Sequence, residues 1–143
     1  MIRNIFLTLF LGIVIFGGVY SCIRKPKIEY SIDQIAQIDS TTEIMRLTYH
    51  EMKPVWDIHE NSTYTQEDFA TMARAAERVR IAAGVLKDRI AQKYPEKFAE
   101  IAARFFEQAN KFQVYADGRQ AIGAKSAITS MGDLCSTCHK AFR

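Results

Sequence analysis

Residues 69–90 read FATMARAAERVRIAAGVLKDRI, and their apolar side chains recur at alternating steps of three and four. This spacing places the apolar side chains along one face of an α-helix. Thr65 and Asp68 have the spacing of a capping box, which predicts where the helix begins. We therefore predict a long amphipathic helix that packs against other helices through Phe69, Met72, Ala76, Val79, Ala83, Leu86 and Ile90.

A similar seam lies upstream of this helix. Ser31 and Ser40 are each followed three residues later by glutamine or glutamate. The predicted helix therefore either begins after Ser31, or is broken and restarts after Ser40. Pro54 lacks a backbone donor and predicts a kink or a last turn. We expect Tyr49 and Trp56 in the core, because they lie on the seam Ile35, Ile38, Thr42, Met45, Tyr49, Met52 and Trp56.

Two further helices are predicted downstream. Lys93-Tyr94-Pro95 separates the second helix from the third, because proline fits the first turn of a helix but not its interior. The third helix has the seam Phe98, Ala102, Phe105, Ala109, Phe112 and Ala116, and it ends at Asp117-Gly118. The fourth has the seam Ile128, Met131, Cys135, Cys138 and Phe142. We predict an all-α, up-down-up-down four-helix bundle over residues 31–143, preceded by a tether at 23–30.

The composition agrees with a helical protein. Glycine occurs 7 times and proline 3 times in 143 residues, which disfavours a loop-rich scaffold. The 19 basic and 16 acidic residues are scattered along the chain and form no concentrated positive patch. Nucleic acid is therefore not an expected partner.

The first 22 residues predict an export signal. Arg3 precedes the apolar run from Ile5 to Phe16, and small residues follow before Cys22. The run is short for a membrane span, which needs about 20 apolar residues. The sequence Val19-Tyr20-Ser21-Cys22 resembles the lipobox of bacterial lipoproteins, which implies that Cys22 is acylated. A conventional cleaved signal and an uncleaved signal anchor remain the alternatives. The expected location is periplasmic, with membrane attachment through Cys22 in the lipoprotein case.

The pentapeptide Cys135-Ser136-Thr137-Cys138-His139 is the attachment pattern of a c-type haem. Two thiols three residues apart can reach the two vinyl groups of one porphyrin, and the next residue supplies an imidazole to the iron. The alternatives are a redox dithiol and half of a zinc site. A zinc site needs further ligands, and the only other histidines are His50 and His59. We predict one covalent haem c held by the two cysteines, with His139 as a ligand of the iron.

The end of this segment resembles the cytochrome c-prime family and its low-spin relatives. The family's closing motif is matched at Cys135, Cys138, His139, Phe142 and Arg143. The resemblance is strongest from Gly132 to Arg143, and it implies a four-helix bundle with an exposed haem edge. It also implies that Arg143 lies on the proximal side, beside the imidazole. The alternative for Arg143 is a solvated cation at the C-terminal end of the helix dipole.

The ligand on the other face of the iron is expected from the first predicted helix. Met45 is favoured, because it lies on the seam and Arg46 follows it where the low-spin relatives carry Met-Lys. The alternatives are Met52, His50, and an apolar or aromatic side chain that leaves the iron five-coordinate. Methionine at helical spacing is also a common core residue.

The resulting functional prediction is one-electron transfer to redox partner proteins. A five-coordinate haem protein that binds nitric oxide or carbon monoxide is the alternative, and a bundle that haem only stabilises is a third reading. A homodimer is a further expectation. No general acid or base is paired with a nucleophile in the sequence, so an enzyme is not expected.

The lipoprotein reading predicts that labelled fatty acid enters the wild-type protein and does not enter Cys22→Ala, because Cys22 is the one acylation candidate beside the apolar run. Gel autoradiography of cells fed the labelled acid measures this. An unlabelled wild type would leave a conventional signal or an anchor.

Overall fold

The described residues, 29–142 of a computed structural model, form one short helix and four long ones. The helices are α1 (Ile32–Gln37), α2 (Thr41–His59), α3 (Gln66–Val85), α4 (Glu96–Asp117) and α5 (Ala121–Phe142). After α3 the chain forms a π-helical turn at Leu86–Ile90 and a 3-10 turn at Ala91–Lys93. The long helices α2–α5 pack sequentially, which agrees with the predicted up-down bundle.

Both capping signals near the start of the bundle are used. The Ser31 side chain accepts from the backbone of Gln34 and caps α1, and the Ser40 side chain accepts from the backbone of Glu43 and caps α2. The first predicted helix is therefore broken and restarts after Ser40. Helix α2 continues through Pro54 to His59, so the proline does not end the helix, and the alternative of a kink at Pro54 stays a prediction.

The predicted seams of α3 and α4 are buried, apart from Phe69, which is partly buried. The seam of α2 is different. Its buried face consists of Ile44, Leu47, Thr48, Met52 and Val55. Tyr49 is 60% exposed and Trp56 is 36% exposed, so the prediction that they are core residues is wrong. Two neighbouring stripes of α2 are apolar, and the one richer in aliphatic side chains faces the core. Tyr49 and Trp56 instead contact each other at the surface, with ring centroids 5.6 Å apart.

Helix α1 is a strap that lies across one end of the bundle. Ile35 is fully buried in a cluster with residues of α2, α3 and α4. Basic side chains from the region of α3 and the turns after it fasten the strap. Arg78 donates to the Tyr30 carbonyl at 2.7 Å, Arg89 donates to the Ala36 carbonyl at 2.9 Å, and Lys93 pairs with Asp39 at 2.6 Å. The pairing of Lys93 lowers the pKa of the Asp39 carboxyl.

Within residues 29–142, none of the helices has the length and apolar character of a membrane-spanning segment. The predicted export signal and most of the predicted tether lie outside the described residues.

Ile35→Ala should destabilise the protein by about 2–5 kcal/mol, because it leaves a cavity under the strap. Ile32→Ala on the same helix is the matched control. Ile32 is 37% exposed, so its truncation should cost only about 0.5 kcal/mol or less. Urea unfolding followed by circular dichroism measures both values. Equal small effects would show that α1 contributes little to folding.

Candidate functional site

The two cysteines and the histidine of the pentapeptide lie in the C-terminal part of α5. Helix α5 continues to Phe142, so the whole motif is helical. Positions i, i+3 and i+4 of an α-helix lie on one face. Cys135, Cys138 and His139 have this spacing, and all three line the same pocket.

This pocket lies among α2, α4, α5 and the π-helical turn. Beyond the motif, it is lined by Met45 and Thr48 of α2, and its surface is almost wholly apolar. Its empty space is about 430 Å³, part of which is open to solvent. The other lining residues are Leu86, Phe98, Ile101, Ala102, Phe105 and Leu134.

Met45 is the predicted site residue that α2 contributes to this pocket. It is partly buried and faces the same space as the motif on α5. The alternative ligand, Met52, is 2% exposed and belongs to the central core cluster instead. His50 is exposed beside Glu51, and His59 lies near Thr129, with 3.4 Å between ring Nε2 and the hydroxyl oxygen. Neither histidine lines the pocket.

Both thiols have a raised pKa. Burial raises the pKa of Cys135 to about 11, with a smaller contribution from the nearby Cys138, and burial alone raises the pKa of Cys138. The thiols are therefore protonated at neutral pH. Redox dithiols instead rely on a thiolate with a depressed pKa. Residues 29–142 contain no cluster of three or more His, Cys, Asp or Glu side chains that could hold a metal ion.

The donor set fits a covalent haem. Two neutral thiols and an imidazole on one helix face an apolar space that has a thioether on another wall. Room also exists along α5, because a Cβ on Gly132, one turn before Cys135, would meet nothing within 4 Å. The cavity itself measures only about 30 Å³, whereas pockets that hold small molecules typically measure about 300–1,000 Å³. Side chains must therefore move apart to admit a porphyrin.

Aromatic contacts hold the end of α5 in place. Phe142 packs edge-on against Phe98, with 5.3 Å between the ring centroids. Phe98 in turn stacks on Tyr94, with 4.5 Å between the ring centroids. Because Phe142 lies three residues after His139, this contact fixes the helical turn that carries the imidazole. His139 itself is exposed at the edge of the pocket.

Three residues that line this pocket were not named from the sequence, namely Thr48, Ile101 and Leu134. Thr48 lies one helical turn after Met45, and this spacing could have predicted that both side chains lie on the same face of the helix. Leu86 was predicted as an ordinary core residue of a continuous helix. The π-helical turn that begins at Leu86 was not predicted, although such turns occur frequently at functional sites.

Two predicted site residues cannot be placed. Cys22 and Arg143 lie outside the described residues. Their predicted roles, acylation and a contact on the proximal side of a haem, stay predictions.

Comparison of the chain with protein-family models, with curated proteins and with solved structures gives no match. The findings support an all-helical domain of four long helices, without a family. The resemblance of the C-terminal motif to the cytochrome c-prime family stays a hypothesis, and the residues that line the pocket can be substituted to test it.

Proposed function

We propose that this protein is a c-type cytochrome that carries one covalent haem and transfers single electrons in the bacterial envelope. One observation carries the proposal. Cys135, Cys138 and His139 on α5 face the same apolar pocket as Met45 on α2. A binding protein that holds no metal would not need sulfur and nitrogen donors that converge on one pocket from two helices.

In this proposal the two cysteines provide the covalent attachment. Each thiol would hold the haem by adding across one of its vinyl groups, with the sulfur bonded to one vinyl carbon and the hydrogen to the other. The addition is balanced without an oxidant or a further reactant.

The two remaining donors set the chemistry of the iron. His139 supplies its imidazole from α5, and Met45 supplies its thioether from α2. The bound haem would supply one-electron chemistry between the ferric and ferrous states. With both residues bound, the haem would suit electron transfer, and the apolar pocket would limit the access of water to it.

The environment of the pocket supports a carrier rather than an enzyme. The pocket is partly open to solvent, so a bound cofactor would have an edge accessible to a redox partner. A transient protein complex is sufficient for this exchange. The proposed envelope location rests on the export signal in residues 1–22, and attachment to the membrane would follow from acylation of Cys22.

Gas binding is the second candidate. Met45 is only partly buried, and the aliphatic and aromatic side chains of Leu86 and Phe105 line the same pocket. If one of these covers the iron instead of Met45, the haem is five-coordinate and binds nitric oxide or carbon monoxide.

Removal of either thiol should prevent normal haem attachment. When expressed with a haem-attachment system, wild type should keep its haem after extraction with acidified acetone, because thioether bonds are covalent. Cys135→Ala and Cys138→Ala should each contain much less covalent haem by peroxidase staining and absorption. Free extraction of haem from the wild type would contradict the proposal.

Met45→Leu should convert a low-spin haem to high-spin, because leucine keeps nearly the same apolar volume but cannot bind iron. The packing cost of this swap is below about 1.5 kcal/mol. Absorption spectra of the oxidised protein, and of the ferrous protein with carbon monoxide, measure the change. The matched control is Met52→Leu, since Met52 is buried outside the pocket.

Only the Met45 variant should gain carbon monoxide binding. An unchanged spectrum in Met45→Leu would eliminate Met45 as the ligand. A wild type that is already high-spin would favour gas binding over electron transfer.

A further inference from the structure

Thr48 is an unusual residue for its position. Among residues 29–142, Thr48 is the only polar residue that is buried, with 7% of its surface exposed. It also lines the apolar pocket. It follows Met45 by three residues on α2, so the two side chains lie on the same face of that helix. The cysteines and His139 approach the pocket from α5 instead.

A buried hydroxyl destabilises a folded protein unless it makes a hydrogen bond. Helical threonines often satisfy the hydroxyl by donating to the carbonyl four residues earlier. Thr129 donates in this way to Lys125 at 3.0 Å, and Thr137 donates to Asp133 at 2.8 Å. Within the described residues, Thr48 makes no such bond to its own helix and has no side-chain partner elsewhere.

The Thr48 hydroxyl is also not sealed inside the core. Among the described residues, only one side-chain polar atom is fully enclosed and lacks a hydrogen-bond partner, and that atom is Nδ1 of His59. The Thr48 oxygen has no partner among the described residues and does not belong to this fully enclosed class. Thr48 lines the pocket, whose surface is almost wholly apolar, so its oxygen has at most a very small exposed area there.

We propose that Thr48 is a positioning residue that donates a hydrogen bond to the acceptor atom bound to iron on the Met45 side of the pocket. This inference rests on the proposed function. The acceptor is the Met45 sulfur if the iron is six-coordinate, and a bound diatomic gas if it is five-coordinate. Both are weak acceptors on the same side of the pocket, and the spin state of the wild type decides which one is present.

The physical effect follows from the electrons on the acceptor. A hydrogen bond to the thioether sulfur withdraws electron density from it and weakens its donation to iron. The ferrous state is then favoured, and the reduction potential rises. A hydrogen bond to a bound gas instead slows its dissociation.

Thr48→Val tests the proposal, because valine has nearly the shape of threonine and lacks the hydroxyl. Thr48→Ser restores a hydroxyl and should recover wild-type behaviour. The matched control is Thr42→Val, since Thr42 is an exposed residue of the same helix. Haem content, reduction potential and carbon monoxide dissociation are measured for all four proteins.

In a six-coordinate protein, Thr48→Val should have a lower reduction potential than wild type. Thr48→Ser and Thr42→Val should have the reduction potential of wild type. In a five-coordinate protein, it should release carbon monoxide on the order of two- to tenfold faster, as expected for the loss of one net hydrogen bond. Haem content should stay equal in each case.

If Thr48→Val binds haem and has the same reduction potential, or the same rate of carbon monoxide dissociation, as wild type, the role of Thr48 is overturned while the proposed function stands. Failure of serine to rescue the change overturns that role as well, because the effect would then arise from packing. A wild-type chain that attaches no haem overturns the proposed function, and the role of Thr48 with it.

Discussion

The close packing of α3 against both of its neighbours is the contact on which the bundle depends. Its buried face carries small side chains, including Ala75, Ala76 and Ala83, that let α2 and α4 approach closely. Larger side chains such as Met72 and Val79 fill the space between them. Without this helix, α2 and α4 would lose their common partner. The pocket would then lose the two walls that Met45 and Phe105 provide.

The candidate site lies where the two apolar clusters of the bundle meet. Cys138 borders both clusters, whereas Cys135 borders the central one and Met45 borders the one under the strap. The donors are therefore attached to different parts of the core. Their relative positions depend on how α2, α4 and α5 pack, and the Phe98–Phe142 contact contributes by holding the end of α5.

Much of this architecture could be predicted from the sequence, because helical periodicity and capping are local signals. The seams of α3 and α4 and the cap at Ser40 are examples. The orientation of α2 could not be predicted, since two adjacent stripes are apolar and only tertiary packing selects between them. For the same reason, Tyr49 was assigned to the core although it is exposed. The cysteine motif was readable as a pattern, but its convergence with Met45 and Thr48 depends on helices that are distant in sequence.

The location of the motif on α5 also determines the order in which the site can assemble. During synthesis, α2, α3 and α4 emerge before α5, and they already share most of the two apolar clusters. These three helices can begin to pack while the thiols are still unprotected on an emerging chain. For that period, both cysteines are accessible to solvent and to any reagent that modifies thiols. That period ends when α5 docks and Cys135 becomes partly buried.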